Sequence, residues 1–221
     1  MKFRTKMVGV LFCAGFLISS VAVFAQDKKP GDKPADTKKP AATAPGQPSP
    51  EDMAKWMQAA TPGPEHAKLK PLTGKWTFVT KHRMGADQPW QESPGKAEYR
   101  WILGGRVLVH EVKADPNPKD PIMGTFEGFG ISGYDNMNKK YWNTWADSMG
   151  TGVMHSTGTA DSSGKTFTYS GEYDCPMTGK RETAKSVLKI AGDDKVVFEM
   201  YTKDPAGKEF MGLEVTYTRV K

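Results

Sequence analysis

Arg106, His110 and Asp147 set the chemical question for this sequence. Each falls in a segment where apolar and polar residues alternate, so each belongs to one face of an expected strand, among aromatic neighbours. A guanidinium such as Arg106 pairs with a ligand carboxylate. An imidazole such as His110 donates, accepts or acts as a base near neutral pH, and Asp147 is suited to orient it. Together with Trp101, Trp145 and Tyr173 they form the candidate ligand-binding set, since aromatic walls carrying a few polar groups make small-molecule pockets. No nucleophile–base pair is visible, so no catalytic residue is assigned. Chemistry by His110 and Asp147 ranks below binding.

The remaining reactive side chains point to no second site. The histidines are His66, His82, His110 and His155, with no HxH, HExxH or CxxC spacing, so neither a metal site nor a cofactor is expected. Cys175, before Pro176, has no activating base nearby in sequence and reads as a surface thiol. The methionines are scattered, without the clusters that would suit Cu(I). Tyr134 to Lys140 resembles a calcium loop only superficially: it lacks the acid at the twelfth position and reads as a hairpin turn.

Ten segments have the alternation and turn boundaries of strands: Lys75–Met84, Lys96–Leu103, Arg106–Ala114, Thr125–Tyr134, Lys140–Asp147, Gly152–Ala160, Thr166–Asp174, Arg181–Ile190, Lys195–Thr202 and Glu209–Val220. Their short links at Gly104-Gly105, Asp135 to Lys139, Asp161 to Lys165, Gly192 to Asp194 and Asp204 to Lys208 favour an up-and-down meander. Closure removes the exposed edges, so the fold class is all-β: an antiparallel barrel of about ten strands with a short N-terminal helix. Alternation places Ala97, Tyr99, Trp101 and Leu103 on one face, with Arg106, Leu108, His110 and Val112 opposite if Gly104-Gly105 is the turn. Tyr141, Asn143, Trp145 and Asp147 share a face. Phe167, Tyr169, Gly171 and Tyr173 share another, as do Met211, Leu213, Val215, Tyr217 and Arg219.

Before the barrel, residues 49–70 form a helical lead-in. Ser49 caps, Pro50 starts, and Met53, Trp56, Met57 and Ala60 make one stripe, expected to be core or a lid on it. Residues 26–48 hold five prolines and no large apolar residue, and are expected to be a disordered linker. Residues 1–25 read as a signal peptide: Lys2, Arg4 and Lys6, then the apolar run Met7 to Ala22, then Val23-Phe24-Ala25 before cleavage. An uncleaved membrane helix is the alternative. Cys13 lies too deep in the apolar run for a lipid anchor.

Export would change the charge argument. Of 31 basic and 25 acidic residues, 28 and 25 remain after the leader, and the lysine-rich linker takes most of the remaining excess. The folded part is nearly neutral, which argues against a nucleic-acid partner. Only Cys175 survives cleavage, so the fold must rest on its core without an internal disulfide. The mature chain is expected in the periplasm or secreted, with no transmembrane segment.

Gly74-x-Trp76 at the entry to the first strand, with Arg219 in the last, resembles the calycin superfamily, whose tryptophan closes one barrel end beneath an arginine. That resemblance makes Gly74, Trp76 and Arg219 closure residues. A more specific resemblance covers Pro62 to Lys221. Pro62-Gly63-Pro64-Glu65-His66, Leu72-x-Gly74-x-Trp76, Ile102 to Arg106, Gly133 to Asn136, Thr144-Trp145-x-Asp147-Ser148-Met149 and Met177 to Lys180 resemble the exported bacterial family catalogued as domain of unknown function 1579. It implies a lipocalin-like barrel and supplies no activity. The haem-binding nitrobindin-like relatives use a late histidine and a longer glycine-rich motif. Here no histidine follows His155, so a haem ligand would have to be His110 or His155. The resulting expectation is a barrel that holds a small, largely apolar or amphiphilic molecule, with an anionic group facing Arg106. The alternative is an envelope interaction module with a packed barrel; the oligomeric state is open.

Overall fold

Glycine and tryptophan at the head of the first strand fix how the barrel begins. The computed structural model describes residues 48–117, 125–175, 178–204 and 206–221. The leader, nearly all of the linker, and parts of the loops after residues 117 and 175 lie outside the described residues. At Gly74 the backbone takes φ +117°, and a Cβ there would stand 2.9 Å from Nη1 of Arg219. Only glycine meets both conditions without strain.

Ten strands follow: β1 Gly74–His82, β2 Gln91–Ile102, β3 Val107–Ala114, β4 Glu127–Asp135, β5 Lys140–Asp147, β6 Met154–Ala160, β7 Thr166–Cys175, β8 Lys180–Gly192, β9 Lys195–Lys203 and β10 Glu209–Arg219. Each pairs antiparallel with the next, and β10 returns to β1, closing the barrel. The register runs Trp76↔Arg219 and Trp76↔Ala97 on either side of β1. Tyr99 lies opposite His110, as a turn at Gly104-Gly105 requires, although the ladder ends at Ile102↔Val107 and leaves Leu103 and Arg106 in the turn.

Two strand expectations need correcting. β2 starts at Gln91, five residues before the expected Lys96, and runs through Pro94 and Gly95. Pro94 is tolerated because its carbonyl accepts from Asp115 N–H at 2.8 Å, on the side where the β2–β3 ladder has just ended at Gly95↔Ala114. In an antiparallel strand N–H and C=O of one residue point the same way, so the missing N–H costs β1 nothing. In β10 a bulge between Met211 and Leu213 shifts the register: Met211 pairs with Tyr201 and Leu213 with Met200. Met211 therefore leaves the inward face that Leu213, Val215 and Tyr217 share.

Two short helices, α1 Pro50–Ala60 and α2 Pro64–Ala67, and a 3₁₀ turn at Lys70–Leu72 precede β1. α1 begins with a capping box: Asp52 N–H donates to Ser49 Oγ at 3.1 Å and Ser49 N–H to Asp52 Oδ2 at 3.3 Å. Its stripe is not core. No α1 residue is buried, and Met53, Trp56 and Met57 are 43%, 63% and 53% exposed. The helix is held by its last carbonyls instead. Arg106 Nε donates to Ala60 O at 2.9 Å, and Asn136 Nδ2 to Ala59 O and Thr61 O, both at 2.9 Å. Among the described residues no helix is long and apolar enough to cross a membrane.

The core fills the barrel end beneath α2 and the 3₁₀ turn. Leu69, Leu72, Trp76, Leu108, Tyr141, Phe167 and Val196 are each at most 3% exposed. Trp76 Nε1 donates to Leu72 O at 2.8 Å. Arg219 lies over the Trp76 ring at 4.1 Å and donates to Asp193 O, Thr73 O and Pro71 O at 2.6–2.7 Å. Strand, helical turn and final strand thus meet on one pair of side chains.

Candidate functional site

Beyond this packed base the inward side chains no longer meet, and a cavity of about 300 Å³ remains inside the barrel. Every strand contributes to its wall. Phe78 and Thr80 come from β1, Leu213, Val215 and Tyr217 from β10, and Tyr99, His110 and Trp145 from between; Leu69 and Leu72 form the floor. Most of the lining is apolar. Among the described residues the polar members are hydroxyls, phenols, one amide (Asn143) and one imidazole, and no Asp, Glu, Lys or Arg takes part.

Glycines on β4 make room for the largest lining ring. A Cβ at Gly128 or Gly130 would stand 2.3 Å or 2.8 Å from the Trp145 indole, so the indole lies flat against that strand. Its Nε1 donates to Asp147 Oδ2 at 2.8 Å, while Asp147 Oδ1 accepts from Met149 N–H at 2.9 Å. His110 stacks on Tyr99, with ring centroids 3.8 Å apart and planes 8° from parallel, and Trp145 and Tyr217 stand 5.4 Å and 5.9 Å away. Burial lowers its pKa to about 3, so it is neutral at pH 7. Its Nε2 is buried without a hydrogen-bond partner among the described residues.

The six residues of the candidate set separate. His110 and Trp145 line the cavity; Arg106, Trp101, Asp147 and Tyr173 do not. Arg106 is in the β2–β3 turn and outside the cavity lining, its guanidinium bonded to Ala60 O and Leu103 O, so an anionic group facing it would not lie in this cavity. Trp101 packs against the base core. Asp147 secures the Trp145 indole and not the His110 ring. Tyr173 Oη reaches Glu182 Oε2 at 3.2 Å and Thr202 Oγ1 at 3.3 Å. Without Asp147, and with a pKa far below neutrality, His110 makes a poor general base. His155 is exposed on the outer face beside Thr144, 3.0 Å away. Among the described residues no three metal-ligating side chains gather.

Residues absent from the candidate set fill the wall: Phe78, Tyr99, Asn143, Tyr169 and Tyr217, with Thr80, Ser132, Ser156 and Ser186. Alternation groups Tyr99, Asn143, Tyr169 and Tyr217 with their face-mates without saying which faces turn inward. The serines carried no signal that distinguishes a lining hydroxyl from a surface one.

A solved structure shares the architecture. The crystal structure of Rv2717c from M. tuberculosis superposes with a TM-score of 0.52 at 13% identity, over 73% of this chain and 100% of that one. A redesigned β-barrel matches with a TM-score of 0.37 at 13% identity, over 70% of this chain and 96% of its own. The first likeness concerns the fold alone. No curated protein matches the chain. The model of one family covers residues 61–219, from the end of α1 to the last residue of β10. By that match the chain belongs to the family described as protein of unknown function (DUF1579).

Proposed function

We propose that this protein binds a small, uncharged, largely apolar molecule inside its barrel, and that it does so after export to the periplasm or beyond. One observation carries the reading: among the described residues, the wall of the cavity of about 300 Å³ has no formally charged side chain. That volume is at the lower end for small-molecule sites. A carboxylate or ammonium placed there would lose its hydration without gaining a counter-ion, a cost that excludes charged ligands. The leader at residues 1–25 supports export. The cavity counts against a fully packed interaction module, and the geometry of His110 and Asp147 counts against catalysis.

Native mass spectrometry of the mature protein, purified from its own cells and compared with a denatured sample, tests the proposal. A neutral small molecule present only in the native spectrum is the expected result. Bare protein that shows no thermal shift with a broad panel of apolar compounds would overturn it.

A further inference from the structure

One stretch of the inner wall concentrates polar side chains on three neighbouring strands. There Ser132 of β4 lies opposite Asn143 of β5, and Asn143 lies opposite Ser156 of β6. Directly opposed residues on one face have Cβ atoms about 4.5–5.5 Å apart, so the three form a continuous row, and all three line the cavity. Ser132 and Ser156 are only 9% and 6% exposed. Among the described residues, neither hydroxyl nor the Asn143 amide has a hydrogen-bond partner in the protein. They are also absent from the sealed, unpartnered atoms, which are His82 Nδ1 and His110 Nε2. Their polar atoms therefore open onto the cavity. Across the barrel, β10 and β1 present Leu213, Val215 and Phe78, with the single hydroxyls of Thr80 and Tyr217 between them.

Buried hydroxyls and amides are almost always hydrogen-bonded. Three in a row, all turned to one cavity and unpaired within the protein, are placed to bond a polar group inside it. We infer that Ser132, Asn143 and Ser156 form the head-group site for an uncharged amphiphile whose head both donates and accepts hydrogen bonds, such as an amide. Two hydroxyls and a carboxamide supply both donors and acceptors, while the mostly apolar remainder of the wall takes the apolar body. This inference rests on the cavity-binding reading and adds to it the class of ligand.

A matched series separates the two: butylbenzene, 4-phenylbutanamide and 4-phenylbutanoate, titrated calorimetrically into the mature chain at pH 7. The amide is expected to bind about tenfold tighter than the hydrocarbon, and the carboxylate weakest, the scale of one or two net hydrogen bonds. In the Ser132→Ala, Asn143→Leu, Ser156→Ala triple variant the amide's advantage should vanish while butylbenzene binding persists or improves. Ser156→Ala alone, which removes a single atom from the wall, should cut that advantage by roughly threefold. Equal binding of amide and hydrocarbon by the unaltered chain would overturn the head-group site and leave cavity binding intact. An amide preference that survives in either variant would overturn it too. If no member of the series binds, the cavity-binding reading falls and the inference with it.

Discussion

The sealed base and the cavity wall of this barrel are built from similar residues to opposite ends. At the base the polar groups of Glu65, Lys68, Tyr141, Trp76 and Arg219 have protein partners. Glu65 Oε2 accepts from Tyr141 Oη at 2.7 Å, and Lys68 Nζ reaches both Glu65 oxygens at 2.8 Å. These hydrogen bonds, Lys68 first and Tyr141 next, hold the Glu65 carboxyl below its ordinary pKa. Trp76 and Arg219 are satisfied in the same way by backbone carbonyls. On the wall, Ser132, Asn143 and Ser156 have no partner among the described residues. Where a barrel only has to hold together, its polar groups bond to one another. Where they face an empty volume unpaired, they are available to something else.

The strongest way to break this contrast is to damage both regions equally. Trp76→Ala removes the largest fully buried side chain and leaves a hole in the base; about 3–5 kcal/mol of stability should be lost in urea denaturation. Asn143→Leu should cost less than about 1 kcal/mol or stabilise, because an unpaired amide is replaced by an apolar group of similar size. A loss at Asn143 equal to that at Trp76 would show that both regions are structural.

Acid sharpens the contrast through His110. Its folded pKa, about 3, lies below the ordinary histidine value near 6.5. Between these values the unfolded chain binds a proton that the folded chain refuses, so stability is present above pH 6.5 and lost as pH falls towards 3. From pH 7 to 4.5 the His110 contribution should fall by about 2–3 kcal/mol. Carboxylates titrate over the same range, so the measurement is a difference: His110→Phe should lose that much less stability than the unaltered chain. Parallel curves would mean that His110 is hydrated or paired. At the base, Tyr141→Phe keeps the ring and removes only the hydroxyl bond to Glu65, and a loss of about 1–2 kcal/mol is expected by thermal or chemical denaturation.

How much of this was legible in the sequence follows from which signals are local. Strand number, order and the Tyr99–His110 register could be read because alternation and short turns are properties of neighbouring residues. The closure pair was legible through Gly74-x-Trp76 and Arg219. The start of β2 was hidden because Pro94-Gly95 reads as a turn, and only the end of the β3 ladder shows why proline fits there. Arg106 and Asp147 misled in another way: their side-chain types suited a ligand, but a strand end puts Arg106 beside α1, and Asp147 serves the indole of Trp145. The Ser132–Asn143–Ser156 row depends on the registers of three strands at once, which no local pattern contains.

The smallest effect is expected at α1, where sequence and structure disagree most plainly. Met53, Trp56 and Met57 have the 3-4 spacing of a buried stripe, yet all three are exposed. Apolar side chains about half in water lose little burial when truncated. Met53→Ala, Trp56→Ala and Met57→Ala should therefore each change stability by less than about 0.5 kcal/mol. Asn136→Ala gives the matching control, since Asn136 ties the barrel to Ala59 O and Thr61 O. Its loss should free the end of α1, seen as faster amide exchange in residues 50–61, while the urea midpoint stays nearly unchanged. A midpoint shift for Trp56→Ala as large as that for Tyr141→Phe would mean that the stripe packs on something in solution, and α1 would then belong with the base.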